Sequence, residues 1–273
     1  MRIGLEAGPE TATIAARHGV QGVPIGASDL VRKGVEQLIR PLNELNLKVC
    51  QIGAFAYNPL HPDPSIRASE REIVMQCIPL LKEVDCRYIV ICGGNYHPNG
   101  FGGVDRRNFT SGALEAVAAE LQPVLRQATD HGVIISIEPY LKTAVNSADT
   151  FLQLHQLCGS DNLKANLDVT SLYDFWGLLD PDPVCRETCE KLAEYIGLVH
   201  VKEVSLSEGF HIHSGLAPLS KGNTDWRRVF EMIGSYVPDD SWVILEHVQS
   251  EDEAIEGLKK IRQDIELAGF HWT

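Results

Sequence analysis

Eight times along the chain, a short apolar run gives way to a longer segment with helical spacing, always in that order. The apolar runs are 2–7, 20–26, 48–55, 87–94, 133–139, 163–169, 197–204 and 241–248. The amphipathic segments are 9–18, 28–45, 69–84, 112–132, 147–157, 183–195, 225–235 and 251–267. In 28–45 a Ser-Asp cap opens the segment, and Leu30, Val31, Val35, Leu38, Ile39 and Leu42 recur at the spacing of one helical face. Strands that alternate with helices imply parallel βαβ units. Eight units in a chain of 273 residues predict a single-domain (β/α)8 TIM barrel over 1–273. A doubly wound open sheet is the other architecture with this alternation. It usually opens with a Gly-rich phosphate turn, which "EAGPETA" matches poorly.

Four of the later runs end in charge. "VIISIEPY" carries Glu138, "LKANLDVT" carries Asp168, "LVHVKEV" carries His200 and Lys202, and "WVILEHV" carries Glu246. In a barrel the C-terminal strand ends converge on one mouth, so these groups would meet there. Three carboxylates pressed together repel one another, and a cation between them resolves that. The mixed oxygen and nitrogen set without sulfur suits one divalent ion, Mn²⁺ first, with Mg²⁺, Co²⁺ or Zn²⁺ also compatible. The ordinary structural alternative for each acid taken alone is a helix cap or a pairing with a nearby lysine.

The order "E-P", "N-L-D-V", "V-H-V-K-E", "P-L-S-K-G-N-T-D-W" and "I-L-E" resembles the xylose-isomerase-like barrel superfamily over essentially the whole chain. That superfamily includes sugar-phosphate isomerases and epimerases, ketose 3-epimerases, hydroxypyruvate isomerase, inosose and dehydroshikimate dehydratases, and apurinic endonucleases. The resemblance implies that Glu138, Asp168, His200 and Glu246 hold a divalent metal and that Glu138 and Glu246 are catalytic, moving protons. It implies a metal-dependent sugar or sugar-phosphate isomerase or epimerase that works beside a carbonyl through an enediolate. A dehydratase or lyase acting on a keto-polyol or keto-glycoside is the alternative. A non-catalytic sugar-binding barrel is the competing reading from another class. The chain also departs from the family. Ser171 stands where many members carry histidine in D-x-x-H, and Leu206 stands where ketose 3-epimerases carry arginine. The third and fourth runs end without the histidines of a trinuclear zinc nuclease, which disfavours an apurinic-endonuclease-like hydrolase.

Further candidates surround the expected mouth. Lys202 shares a strand face with His200 and would either bind substrate or pair with a carboxylate. Glu6 ends the first run, and Asn95 and His97 follow the fourth. The segment 204–224 is expected to be a long irregular loop with glycine hinges at Gly209, Gly215 and Gly222, bringing His211 or His213 to the substrate. The net charge of −13 argues against nucleic acid as a partner. A small sugar, polyol or keto-sugar fits, and a homo-oligomer is compatible. Seven scattered cysteines without a C-x-x-C suggest a reducing compartment. With no leader pattern and no apolar run long enough to span a bilayer, the expected location is cytoplasmic, without membrane contact.

Overall fold

A computed structural model describes residues 1–273. Ten strands occur in chain order: β1 (Arg2–Leu5), β2 (Gly22–Gly26), β3 (Lys48–Ala54), β4 (Tyr88–Ile91), β5 (Ile134–Ile137), β6 (Leu163–Leu167), β7 (Ile196–Val201), β8 (Glu203–Ser207), β9 (His213–Ala217) and β10 (Trp242–Leu245). Eight of them form a closed parallel barrel, with β7 joined to β10 and β10 joined to β1. The last closure pairs Arg2 with Trp242 and Leu5 with Leu245. Closing the sheet removes its edges, which an open parallel sheet would have to cover. The expected TIM barrel is therefore the observed fold.

Strand periodicity explains where the site lies. Side chains two apart share a face, so Trp242, Ile244 and Glu246 climb one wall of the barrel. Leu198, His200 and Lys202 climb the next. The lower members form a small buried cluster of Cys50, Tyr88, Val90, Ile134, Leu198, Trp242 and Ile244. A much larger apolar layer packs the barrel against its helices. Gly22 makes room for the bottom of the inner stack, because a Cβ there would lie 2.5 Å from the Trp242 ring. The apolar plug thus fills the lower barrel and leaves the charged upper members at the C-terminal mouth.

Three expectations change. The segment 28–45 is two helices, Ala27–Lys33 and Val35–Glu44, because Gly34 takes φ +80° and breaks the helical hydrogen-bond ladder. The segment 204–224 is not an irregular loop: β8 and β9 pair antiparallel, from Glu203–Ala217 to Ser207–His213. Gly222 is not a hinge. It lies against the Glu203 side chain, where a Cβ would be 1.7 Å from Glu203 Cγ. Glu203 in turn accepts hydrogen bonds from the Thr224 amide and hydroxyl, closing the base of the hairpin. Trp226 is buried in the core, whereas Trp176 is exposed.

Candidate active site at the barrel mouth

Ligand atoms of Glu138, Asp168, His200 and Glu246 all lie within 4.8 Å of one another, and all four residues are buried. Each is held by its own strand end. The turn Thr170–Leu172 after β6 bends three donors onto Asp168 Oδ1: the Thr170 amide at 3.0 Å, its hydroxyl at 2.7 Å and the Ser171 amide at 3.3 Å. That leaves Oδ2 facing the centre. The Ser171 hydroxyl lies 2.6 Å from Glu138 Oε1 and 3.1 Å from Asp168 Oδ2, bridging the two carboxylates.

His200 is fixed from both sides. Its Nε2 meets Gln51 Oε1 of β3 at 2.8 Å, and its Nδ1 lies 2.8 Å from Glu246 Oε2. An imidazole that donates from Nε2 to Gln51 keeps Nδ1 for the centre of the site. The Asn166 amide nitrogen lies 3.3 Å from Glu138 Oε2 and 2.9 Å from that same Nδ1. The Asn166 carbonyl oxygen is buried without a partner.

The Lys202 ammonium stands among the carboxylates, in contact with Asp168, 2.6 Å from Glu246 Oε1 and 3.3 Å from Glu138 Oε1. Burial alone would drive off its proton, but Asp168, Glu138 and Glu246 outweigh burial and raise the ammonium well above its ordinary value. Burial likewise opposes charge on His200, yet Glu246 and Glu138 push the imidazolium up to about 10. Glu138 behaves in the opposite sense. Burial raises it, while Lys202 and His200 together hold it down to about 2. Glu246 lies well below the ordinary carboxylate range, because His200 and Lys202 overcome its burial. Burial raises Asp168 more than Lys202 lowers it, and Glu138 and Glu246 add to that rise.

The cluster is therefore a trap for positive charge. Three carboxylates draw in every cation within reach, and the protein supplies an ammonium and an imidazolium. The same oxygens and Nδ1 form a compact, sulfur-free donor set of the kind that holds a small divalent ion, so these four residues could hold a metal. Nothing in the set requires a protein sulfur or a second metal.

The cluster forms part of the wall of a cavity of about 740 Å³. Glu6, Glu138, Lys202 and Glu246 line it, as does His247, which the sequence reading did not single out. His247 follows Glu246 with φ +59°, a left-handed conformation that is costly for a side-chain-bearing residue. Glu6 Oε2 secures it by accepting the His247 amide at 2.9 Å. Asn95 and His97 do not line the cavity. Asn95 is wholly buried and spends its amide on the carbonyls of Gly100, Gly103 and Lys142. His97 packs over Gly103 and accepts the Asn99 amide. His211 and His213 also stay outside. Both are exposed on the hairpin, which turns Ser214, Gly215 and Leu216 toward the cavity instead. Pairing with β8 sets which residues of β9 face inward, and the sequence reading did not contain that pairing.

A family model described as a xylose isomerase-like TIM barrel matches residues 12–264. The chain belongs to that family. Among solved xylose isomerase-like structures, one from Mycobacterium smegmatis in complex with magnesium aligns with TM-score 0.73 at 15% identity, covering 98% of this chain and 97% of that one. D-psicose 3-epimerase with D-tagatose from Clostridium cellulolyticum H10 aligns with TM-score 0.71 at 16% identity, covering 97% and 99%. The 3-keto-D-glucoside 4-epimerase from E. coli aligns with TM-score 0.72 at 15% identity, covering 98% and 99%. At such identities the likeness establishes the shared fold alone. No curated protein matches the chain by sequence. No helix is long and apolar enough to cross a membrane.

Proposed function

We propose that this barrel is a divalent-metal-dependent isomerase or epimerase that moves a proton on the carbon beside a sugar carbonyl. The observation that carries the reading is the convergence of three carboxylates and one imidazole from four adjacent barrel strands, two of which, Glu138 and Glu246, line a large cavity. The sugar-acting neighbours with the same fold support it. Glu138, Asp168, His200 and Glu246 would hold the ion, Mn²⁺ or Mg²⁺ by their chemistry. When bound, such an ion acidifies the C–H next to a carbonyl by stabilising the oxyanion that forms.

The chain's own groups do the rest. Glu138 and Glu246 are both held ionised, and both reach the cavity, so either carboxylate oxygen can accept the substrate proton and the other can return one. Return to the opposite face epimerises the carbon, and return to the neighbouring carbon isomerises the sugar. Lys202 Nζ, two residues beyond His200, donates to a substrate oxygen once it leaves the carboxylates. Its departure restores proton affinity to Glu138 and Glu246 at the moment they act as bases.

Elimination of a β-oxygen is the second reading, and Ser171 favours it. Its hydroxyl is committed to Glu138 and Asp168 at the position where the ketose 3-epimerase pattern has a histidine, so the chain departs from that pattern at the site itself. The test is incubation of metal-loaded protein with ketoses, inososes and keto-glycosides in D₂O. Deuterium at the carbon beside the carbonyl supports proton transfer, and an unsaturated product supports elimination. Absence of both from every sugar, with no metal in protein purified without chelator, would overturn the proposal.

A further inference from the structure

The cavity is larger than one sugar and is built in two halves. Even at the roughly 30 Å³ that a water molecule takes in the liquid, the twelve or so heavy atoms of a hexose fill only about half of its 740 Å³. One half is the charged cluster. The other is a wall of three rings, Phe55, Phe101 and Tyr140, brought from the loops after β3, β4 and β5. Their centroids lie 6.1 Å apart for Phe55 and Phe101, and 5.7 Å apart for Phe101 and Tyr140. Phe55 remains 43% exposed, although an apolar ring gains by burial.

The wall is a fixed structure. Gly53 lets Phe55 lie back across the end of β3, since a Cβ there would meet that ring at 2.9 Å. Phe101 sits in the turn Gly100–Gly102, and the buried Asn95 grips the Gly100 and Gly103 carbonyls on either side of it. The same amide holds the Lys142 carbonyl at 3.1 Å, tying the loop after β5 to the loop after β4. Lys142 Nζ lies 5.5 Å from the Tyr140 ring centre and lines the cavity, a donor for hydroxyls beside the aromatic surface. Tyr140 is two residues beyond Glu138, and two residues of chain reach at most about 7 Å. The wall therefore begins next to the strand end that carries the carboxylate, and both line the same cavity.

We infer that the substrate is a two-ring glycoside, with the reacting sugar at Glu138 and Glu246 and a second pyranose ring on the Phe55–Phe101–Tyr140 wall. A pyranose presents an apolar C–H face to an aromatic ring and keeps its hydroxyls for donors at the edge, which is the division of labour between these rings and Lys142. The inference rests on the proposed sugar chemistry for its first ring and on the wall alone for its second.

The experiment measures binding, independently of turnover. Calorimetry on the full chain, with Mg²⁺ present, compares glucose with maltose, cellobiose and trehalose. At least one disaccharide is expected to bind about tenfold or more tighter than glucose, the order of one aromatic contact plus its buried area. Phe101→Ala and, separately, Phe55→Ala should erase that gain and leave glucose unchanged. Equal binding of glucose and all three disaccharides, saturable binding of none, or a gain that survives both substitutions would overturn the inference. A ring preference without any proton exchange would sink the proposed chemistry and keep the two-ring site. Proton exchange on a monosaccharide with no gain from a second ring would do the reverse.

Discussion

Gln51 Oε1 lies 2.8 Å from Nε2 of His200, and that contact decides which nitrogen faces the carboxylates. Gln51→Leu keeps a similar volume in a buried strand position but removes the acceptor. The imidazole then loses the partner that holds Nδ1 inward. Affinity for Mn²⁺ is expected to fall about 10–100-fold, the usual consequence of losing a partner behind a metal ligand. Calorimetric titration checks this. An affinity within twofold of the parent would assign the orientation of His200 to Asn166 instead.

On the proposed metal site, ion binding and protonation would compete at His200. The proton that Glu246 and Glu138 hold there, against burial, persists up to about pH 10 and must leave before Nδ1 can bind a metal. Mg²⁺ affinity should therefore rise by about tenfold per pH unit between pH 7 and 9, with about one proton released per ion. Titrations in buffers of different ionisation heat would show the release. Folding of the metal-free protein has the opposite dependence. A folded-state value raised above the unfolded one stabilises fully below the ordinary histidine value of 6.5 and is lost as pH climbs through about 10. The metal-free melting temperature should drop over that window while the metal-loaded one does not. Parallel curves would show that no imidazolium is present.

Lys202→Met tests the internal cation. Without a metal, the three buried carboxylates lose the ammonium that touches all of them, which should cost about 3–5 kcal/mol of stability. Added Mg²⁺ should restore most of it and bind more tightly than in the parent, because nothing competes for the oxygens. Thermal melts with and without Mg²⁺ decide the matter. A metal-free melt equal to that of the parent would mean that the ammonium contributes nothing there.

Glu246→Gln separates proton transfer from architecture. The amide fills the same space but cannot take a proton, so exchange into D₂O should slow by about 10²–10⁴-fold while the barrel's circular dichroism is kept. Near-parental exchange would leave Glu138 as the group that works alone.

Gly222→Ala should be costly for so small a change. The added methyl would collide with the Glu203 side chain, which itself holds Thr224. A loss of about 1–3 kcal/mol is expected, the range for overfilling a packed site, with metal affinity intact. Chemical denaturation reads the loss, and a neutral outcome would show that Glu203 can move aside.

The sequence exposed what periodicity can expose. Glu138, Asp168, His200 and Glu246 were legible because each interrupts an apolar run at its C-terminal end, and the repeated strand–helix order brings those ends together. Gln51 and Asn166 carried the same signal in weaker form, as uncharged polar side chains inside "KVCQIGA" and "LKANL". Spacing alone does not mark them, because a neutral amide in a strand reads as tolerated rather than required. His247 was hidden by geometry, since its inward turn depends on a left-handed backbone that no spacing rule anticipates. The β8–β9 hairpin reads as a loop in the sequence because its strands alternate only partly, with Phe210 and Ile212 exposed near its tip. Asn95 reads in the sequence as a loop residue open to substrate, and only the fold shows that it holds other loops in place.

The clamp between Glu203 and Thr224 makes the hairpin a self-contained appendage. Its two roots are fastened to each other at the barrel rim, so the barrel's closure does not depend on what lies between them. A protease cut between Glu208 and Ile212 would leave two fragments that stay associated as one barrel, because no barrel strand runs through that tip. The same rim offers a position where foreign sequence can be spliced in, or the chain reopened to new termini, without disturbing the charged floor below.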